Sequence, residues 1–354
     1  MAGREARAYR VQIQSGGIAM KYGFLGTSGL EVSRVALGCM TFGSKSWYDW
    51  VLDEKQSRPM FKKALDAGFN FFDTSDIYSD GLSETLVGKY VLRNVPRDKV
   101  IIATITHNHS GRWPNYIGIS RKQIFDAIDA TLKRMKTDYV DLYQIPRYDW
   151  RTPDEETMEA LHDVVKAGKA RYIGASSMLA YQFSRLNHVA DMNGWTRFTS
   201  MSNHYNLVYR EEEREMVPYC VEEGIGMIPW SPLGRGMLSG TRKRRGRAPT
   251  MRARTDERMR ELYVSDANFR VIDRVVELAK RRGVAPAQVA IAWLLHQPGV
   301  TAPIVGATKT RHITDAAKAT EIELDDDELG FLEEPYEAHP VMGFDPTGET
   351  NKPL

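Results

Sequence analysis

The sequence predicts an α/β fold: a single (β/α)8 barrel with an N-terminal hairpin before it and a C-terminal helical tail after it. Three observations carry this. A short apolar run followed by a longer amphipathic stretch recurs eight times along the 354 residues. The runs are nearly all apolar rather than alternating, the pattern of strands buried on both faces of a parallel sheet. No G-x-G-x-x-G follows any of them, which speaks against an open dinucleotide-binding sheet. Eight strand–helix units in about 300 residues fit a closed barrel instead.

In chain order, KYGFLGTSGLEV (21–32) has Gly26 and Gly29 punctuating short apolar pieces and reads as a hairpin plugging the barrel base. VSRVALGCM (32–40) supplies the first barrel strand. It leads to a helix over Asp53–Ala67, where Met60, Ala64 and Leu65 fall at helical spacing. FNFFDT (69–74), VIIATI (100–105), VDLYQI (140–145), RYIGAS (171–176), FTSMSN (198–203), GIGMIPWS (224–231) and APIVG (302–306) complete the eight. Ser120 with Gln123 three residues on makes a capping box. Thr152 and Pro153 before Asp154, Glu155 and Glu156 mark another helix start, with Pro153 suited to the first helical position; Gly168 stops that helix. The stretch 234–267 is irregular and longer than an ordinary βα loop, so it is a candidate lid or cofactor loop.

A net charge of +2 points to no nucleic-acid or membrane partner. Cys39 and Cys220 are too few for a disulfide framework, which fits a reducing, cytoplasmic location. No apolar run reaches membrane-span length, and mean hydropathy is −0.43. Residues 1–19 start basic without an apolar core, so they read as a disordered leader rather than a secretory signal. The barrel is expected over 20–340 and a flexible tail over 341–354. The arginine-rich segment Thr241–Arg260 reads mainly as a solvated loop. Glu211–Glu213 and Asp325–Glu328 read as solvated faces or helix starts.

GFNFFDTSDIYSDG (68–81), KVIIATITHN (99–108), DYVDLYQIPRYD (138–149), ARYIGASSM (170–178) and FTSMSNHYNLVYREEER (198–214) together resemble, in this order, the aldo-keto reductases, in their bacterial and fungal type. The resemblance implies a TIM barrel that reduces carbonyls with NADP(H), using an Asp, a Tyr, a Lys and a His at successive strand ends. Asp73 and Tyr78 match the first two. Ile105 stands at the Lys position, Pro146 at the His position, and Ser202 where a Gln holds the nicotinamide amide. Three changes converging on one reaction centre are unlike scattered drift.

The implied cofactor contacts are better kept. Gly38, Cys39, Met40 and Thr41 resemble the motif beside the nicotinamide ribose, with Asp73 nearby. Ser176 and Ser177 match a Ser-Asn pair on the carboxamide, with Ser177 replacing the Asn. Trp230, Ser231, Pro232, Leu233, Gly234 and Arg235 resemble the pyrophosphate-covering loop. Gly306, Thr308, Lys309, Arg311 and Asp315 resemble the adenosine 2′-phosphate site, where two cations near a helix start suit a phosphate.

The substitutions have chemical consequences. An unperturbed phenol has a pKa near ~10, and Ile105 cannot lower it. Neither Ile105 nor Pro146 can donate a side-chain hydrogen bond to a developing alkoxide, and losing one such donor costs on the order of 10²–10³ in rate. His107, two residues beyond Ile105, is the candidate stand-in, with a solvated loop histidine as the plainer reading; His107 and His109 lack a third ligand for a metal. A buried Asp73 without its Lys has a raised pKa and could serve as an acid or base.

Four readings stay open. The first is an NADP(H)-binding oxidoreductase for a small organic carbonyl, iminium or enone, including secondary metabolites, that supplies its own activation. The second is a non-redox enzyme using Asp73 and Tyr78 for dehydration, isomerisation or cyclisation. The third is an NADP(H)-sensing pseudoenzyme, and the fourth an ordinary reductase with a deliberately altered site. The partner in the enzyme readings is a small molecule; homo-oligomerisation is left open.

Overall fold

A computed structural model describes residues 20–106, 115–241 and 250–342. The leader 1–19, His107 and His109, Arg242–Arg247 and most of the expected tail lie outside the described residues.

Strands β1 (Tyr22–Phe24) and β2 (Glu31–Ser33) form the antiparallel hairpin, with Tyr22 opposite Ser33. Gly26 at its turn has φ 58°, and a Cβ there would lie 2.3 Å from the Gly224 carbonyl, so only glycine lets the hairpin dock. Leu25 and Val32 are fully buried against Ala36, Phe71, Ala103, Leu142, Ile228 and Ala302, which fill the lower barrel.

Eight parallel strands follow: β3 (Ala36–Gly38), β4 (Phe71–Ser75), β5 (Ile101–Ile105), β6 (Val140–Ile145), β7 (Ala170–Ser176), β8 (Phe198–Ser202), β9 (Gly226–Met227) and β10 (Ile304–Gly306). They are ordered in sequence, with β10 beside β3. The ring closes between β9 and β10, where Thr301 N donates to Met227 O at 2.8 Å and Ile304 N to Pro229 O at 2.9 Å. Pro229 and Pro303 lie on this seam and lack an N–H, which accounts for the shortness of β9 and β10. The two-residue period sorts the side chains: Phe72, Ile102, Tyr143, Ile173 and Met201 pack outward, while Phe71, Ala103 and Leu142 face the interior.

The outer layer comprises α1 (Glu54–Asp66), α2 (Leu82–Val87), α3 (Arg121–Met135), α4 (Asp154–Lys166), α5 (Ala180–Asn193), α6 (Met216–Glu222), α7 (Met251–Thr255), α8 (Glu257–Tyr263), α9 (Asp266–Arg282), α10 (Pro286–His296), α11 (Thr310–Ala319) and α12 (Asp326–Glu333). Asp53 caps α1 in a full capping box with Gln56. Ser120 accepts from Gln123 N at 3.4 Å, the forward half of the expected box.

Three expectations change. Pro153 occupies the N-cap of α4 rather than its first helical position, because Thr152 Oγ1 donates to Asp149 at 2.8 Å and closes a local turn. Glu211–Glu213 do start a short 3-10 helix, Glu211–Arg214, but Glu211 and Glu212 are not a solvated face: Glu211 takes bonds from Tyr336 Oη, His339 N and Arg214, and both residues are buried. The described part of 234–267 is only partly irregular: Arg235 (φ 51°) and Gly236 (φ 96°) break from helical backbone, but Thr250 and Asp256 cap the short helices α7 and α8.

Candidate active site at the barrel mouth

The carboxyl ends of the strands bring the candidates into one ring. The register sets Gly38 opposite Asp73, Ser75 opposite Ile105, Ile105 opposite Gln144, and Ser176 opposite Ser202. His204 bridges Trp230, and Gly306 lies opposite Gly38.

At the centre Asp73 is 2 % exposed, and its Oδ1 accepts from Gln144 Nε2 at 3.4 Å. Burial raises its pKa to about 7, with the Gln144 bond opposing the shift. Ile105 and Pro146 are buried beside this pair and bring no donor. Gln144 is the residue sequence reasoning passed over. Its signal was position: two residues before Pro146 on β6, hence on the same inward face.

Tyr78 lies in the loop after β4, partly buried, its ring centroid 5.8 Å from that of Trp47. Burial pushes its phenol well above the ordinary value, and the Asp73 and Cys39 charges push the same way, against Arg235. With no neighbouring lysine among the described residues to reverse this, Tyr78 is a weak acid that stays neutral. Ser75 Oγ donates to the Ile105 carbonyl at 2.8 Å, tying β4 to β5 beneath it.

The wall beside Ser176 is built from hydroxyls and one indole. Ser176 Oγ donates to Ser202 O at 2.9 Å and lies 3.1 Å from Ser177 Oγ. Trp230 Nε1 donates to Ser177 Oγ at 2.9 Å. Ser202 Oγ is buried with no protein partner, so a ligand amide could bond it. Ser177, Ser231 and Arg235 have φ of 49°, 53° and 51°. Left-handed conformations at non-glycine residues cost on the order of 1–3 kcal/mol each, and here they gather at adjoining strand ends. Gly38 answers to the protein rather than to a ligand, since a Cβ there would meet Ile304 Cγ2 at 2.8 Å. At Gly306 a Cβ would come within 3.2 Å of Thr41 Oγ1, and Met40 is partly exposed beside it.

Arg235 is not free to reach outward: its Nη1 donates to both Asp256 oxygens, at 3.0 and 2.9 Å. Arg252 adds a bond at 3.1 Å and stacks over Trp50 at 4.3 Å. Burial works against the Asp256 carboxylate, yet the two guanidiniums outweigh it and hold its pKa below the usual range. Pro232 is buried and Leu233 partly so in the turn that carries Arg235.

Beyond β10, Thr308 and Asp315 are partly buried while Lys309 and Arg311 are exposed at the start of α11. The pKa of His312 is lowered by burial and by the positive field of Arg311 and Lys309. Exposed Lys309 and Arg311 at one end, and an indole wall with an unpaired buried hydroxyl at the other, fit a nicotinamide dinucleotide. Among the described residues no group of three metal-ligating side chains occurs, and no helix is long and apolar enough to cross a membrane.

The aldo/keto reductase family model matches residues 34–337. The chain is 44% identical over 341 residues to the versiconal hemiacetal acetate reductase of Aspergillus parasiticus, covering 90% of this chain and 97% of that one. It is 42% identical over 346 residues to the aldo-keto reductase AMT2 of Alternaria alternata, covering 91% and 93%. To the aldo-keto reductase dtxS3 of Metarhizium robertsii it is 42% identical over 343 residues, covering 90% and 92%.

Proposed function

The chain belongs to the aldo/keto reductase family, and from that premise we propose an NADP(H)-dependent oxidoreductase for a small organic carbonyl, iminium or enone that brings its own activation. The observation that carries this is the Asp73–Gln144 pair, with Ile105 and Pro146 beside it, where the resemblance implies a lysine and a histidine. The relative named for versiconal hemiacetal acetate supports a small-molecule substrate.

In this reading Lys309 and Arg311 hold the 2′-phosphate and favour NADP(H) over NAD(H). Ser176, Ser177 and Ser202 bond the carboxamide, and Trp230 backs the nicotinamide ring. The bound dinucleotide supplies a hydride equivalent to the substrate. The protein's own share is modest. Tyr78 stays a neutral phenol that orients an oxygen or nitrogen by one hydrogen bond. Asp73, ionising near neutral pH, favours a cationic substrate, whose charge would also draw the carboxyl toward its ionised form. A ketone that needs a strong proton donor finds none. The two free cysteines, both buried, accord with a cytoplasmic protein.

A second reading rests on the same Asp73. A buried carboxyl titrating near neutrality suits an acid–base step without redox change, such as dehydration, isomerisation or cyclisation. Monitoring NADPH absorbance and product together separates the two. Stoichiometric NADPH loss supports the reductase; product without NADPH loss refutes it in favour of the second reading.

A further inference from the structure

Behind the Trp230 ring lies a histidine that the chemistry above does not use. His204 is fully buried between two rings, with centroids 3.9 Å from Tyr209 and 4.3 Å from Trp230, and both interplanar angles are 9°. Its tautomer follows from its partners. The Met342 carbonyl, 3.3 Å from Nδ1, can only accept, so Nδ1 carries the proton. Nε2 then accepts from the Tyr263 hydroxyl. Burial, with Arg235 and Arg258 adding to it, lowers the pKa to about 3 against the Met342 bond.

The partners come from distant parts of the chain. Tyr263 ends α8, and its hydroxyl also lies 3.4 Å from Asn206 Nδ2, which donates to Ser231 O at 3.0 Å. Met342 N donates to Tyr209 Oη at 3.0 Å. One C-terminal residue therefore grips both Tyr209 and His204, and His204 in turn lies flat against Trp230. A phenylalanine would fill the same slot but could tie neither the α8 segment nor the C-terminal segment to the indole.

We infer that His204 is a positioning residue that, clamped by Tyr263 and Met342, fixes the plane of Trp230 and with it the nicotinamide end of the dinucleotide site; this rests on the NADP(H) reading proposed above. A residue acting only there should matter to a ligand carrying nicotinamide and not to one that stops at the adenosine. NADPH and 2′,5′-ADP, which carries the adenosine with its 2′- and 5′-phosphates but no nicotinamide, make that comparison.

The experiment uses the full-length protein as wild type, His204→Ala, His204→Phe and Tyr263→Phe, with circular dichroism to establish folding and calorimetric titration of each ligand. Loss of a stacked ring with its hydrogen bonds should weaken NADPH about tenfold in His204→Ala, with 2′,5′-ADP within about twofold of wild type. His204→Phe keeps the stack and should lose less. Tyr263→Phe removes one hydroxyl and should show the smallest loss with the same selectivity, which keeps the test decisive if His204→Ala does not fold. Equal weakening of both ligands, or unchanged NADPH affinity in the folded variants, would overturn the inference. Wild type that binds 2′,5′-ADP but not NADPH would overturn it too. Wild type that binds neither ligand would instead refute the dinucleotide reading on which it stands.

Discussion

Gln144 Nε2 donates to Asp73 Oδ1 at 3.4 Å across the barrel interior, from a strand two places away. An amide is a neutral donor, so it satisfies the carboxyl without supplying the charge that would hold it ionised. Burial therefore dominates, and Asp73 titrates near neutrality. In the neighbouring phenol, burial raises the pKa and the Asp73 charge raises it further, with the Arg235 charge opposing but not reversing the shift.

The first prediction is a stability profile. Asp73 has a folded pKa of about 7 against an unfolded value near ~3.9. Between these the native state binds more protons than the unfolded one, so stability should fall as pH rises from about 4 to about 7. Glu212, raised to about 8 by burial, adds a fall of the same sign. Thermal unfolding of wild type against Asp73→Asn isolates the Asp73 part: the variant should gain relative to wild type as pH rises. A constant difference across that window would show that Asp73 is ionised throughout.

The fold was legible in the sequence because eight strands buried on both faces leave apolar runs that no surface strand needs. The site was legible only where its residues stand apart from their runs, as Asp73 does in FFDT. Gln144 hides inside VDLYQI, where strand periodicity alone says that it points inward, and nothing local names its partner 71 residues earlier. Glu211 misled because two of the groups that satisfy it, Tyr336 and His339, come from the far end of the chain. His204 went unremarked for the same reason: its meaning lies in Tyr263 and Met342.

The second prediction concerns restoration. Ile105→Lys places an ammonium beside Asp73, and Pro146→His places a donor toward the substrate oxygen. Together they should raise simple-aldehyde reduction by on the order of 10²-fold or more, and by more in free energy than the two singles summed, because the groups share one network. Kinetics of the four proteins of this cycle give the coupling. A folded, NADPH-binding double variant with no gain would mean the pocket is shaped for other chemistry.

The third concerns cofactor choice. Lys309→Ala with Arg311→Ala should weaken NADPH about tenfold or more while leaving NADH within about threefold, since only the former carries the phosphate. Fluorescence titration of both dinucleotides checks this. Equal loss for both would place the phosphate elsewhere.

The fourth concerns the segment after β9. Asp256 is 4% exposed at its side chain and holds Arg235, itself 12% exposed. Arg235→Ala leaves Arg252 as its guanidinium partner, so the cost should be on the order of 2 kcal/mol rather than that of a wholly unpaired buried charge. Limited proteolysis should then cut the 234–263 stretch faster than in wild type. Unchanged cleavage would show that this ion pair does not hold the segment in place.

The most direct measurement is the rate of NADPH oxidation by wild-type protein with an unactivated aldehyde and with a preformed cyclic iminium, under the same conditions. A centre with Ile105 and Pro146 beside Asp73, and with a neutral Tyr78, should turn over the iminium faster by on the order of 10²–10³. Comparable rates, with Tyr78→Phe abolishing the aldehyde reaction, would contradict the account and show that another residue supplies the missing donor.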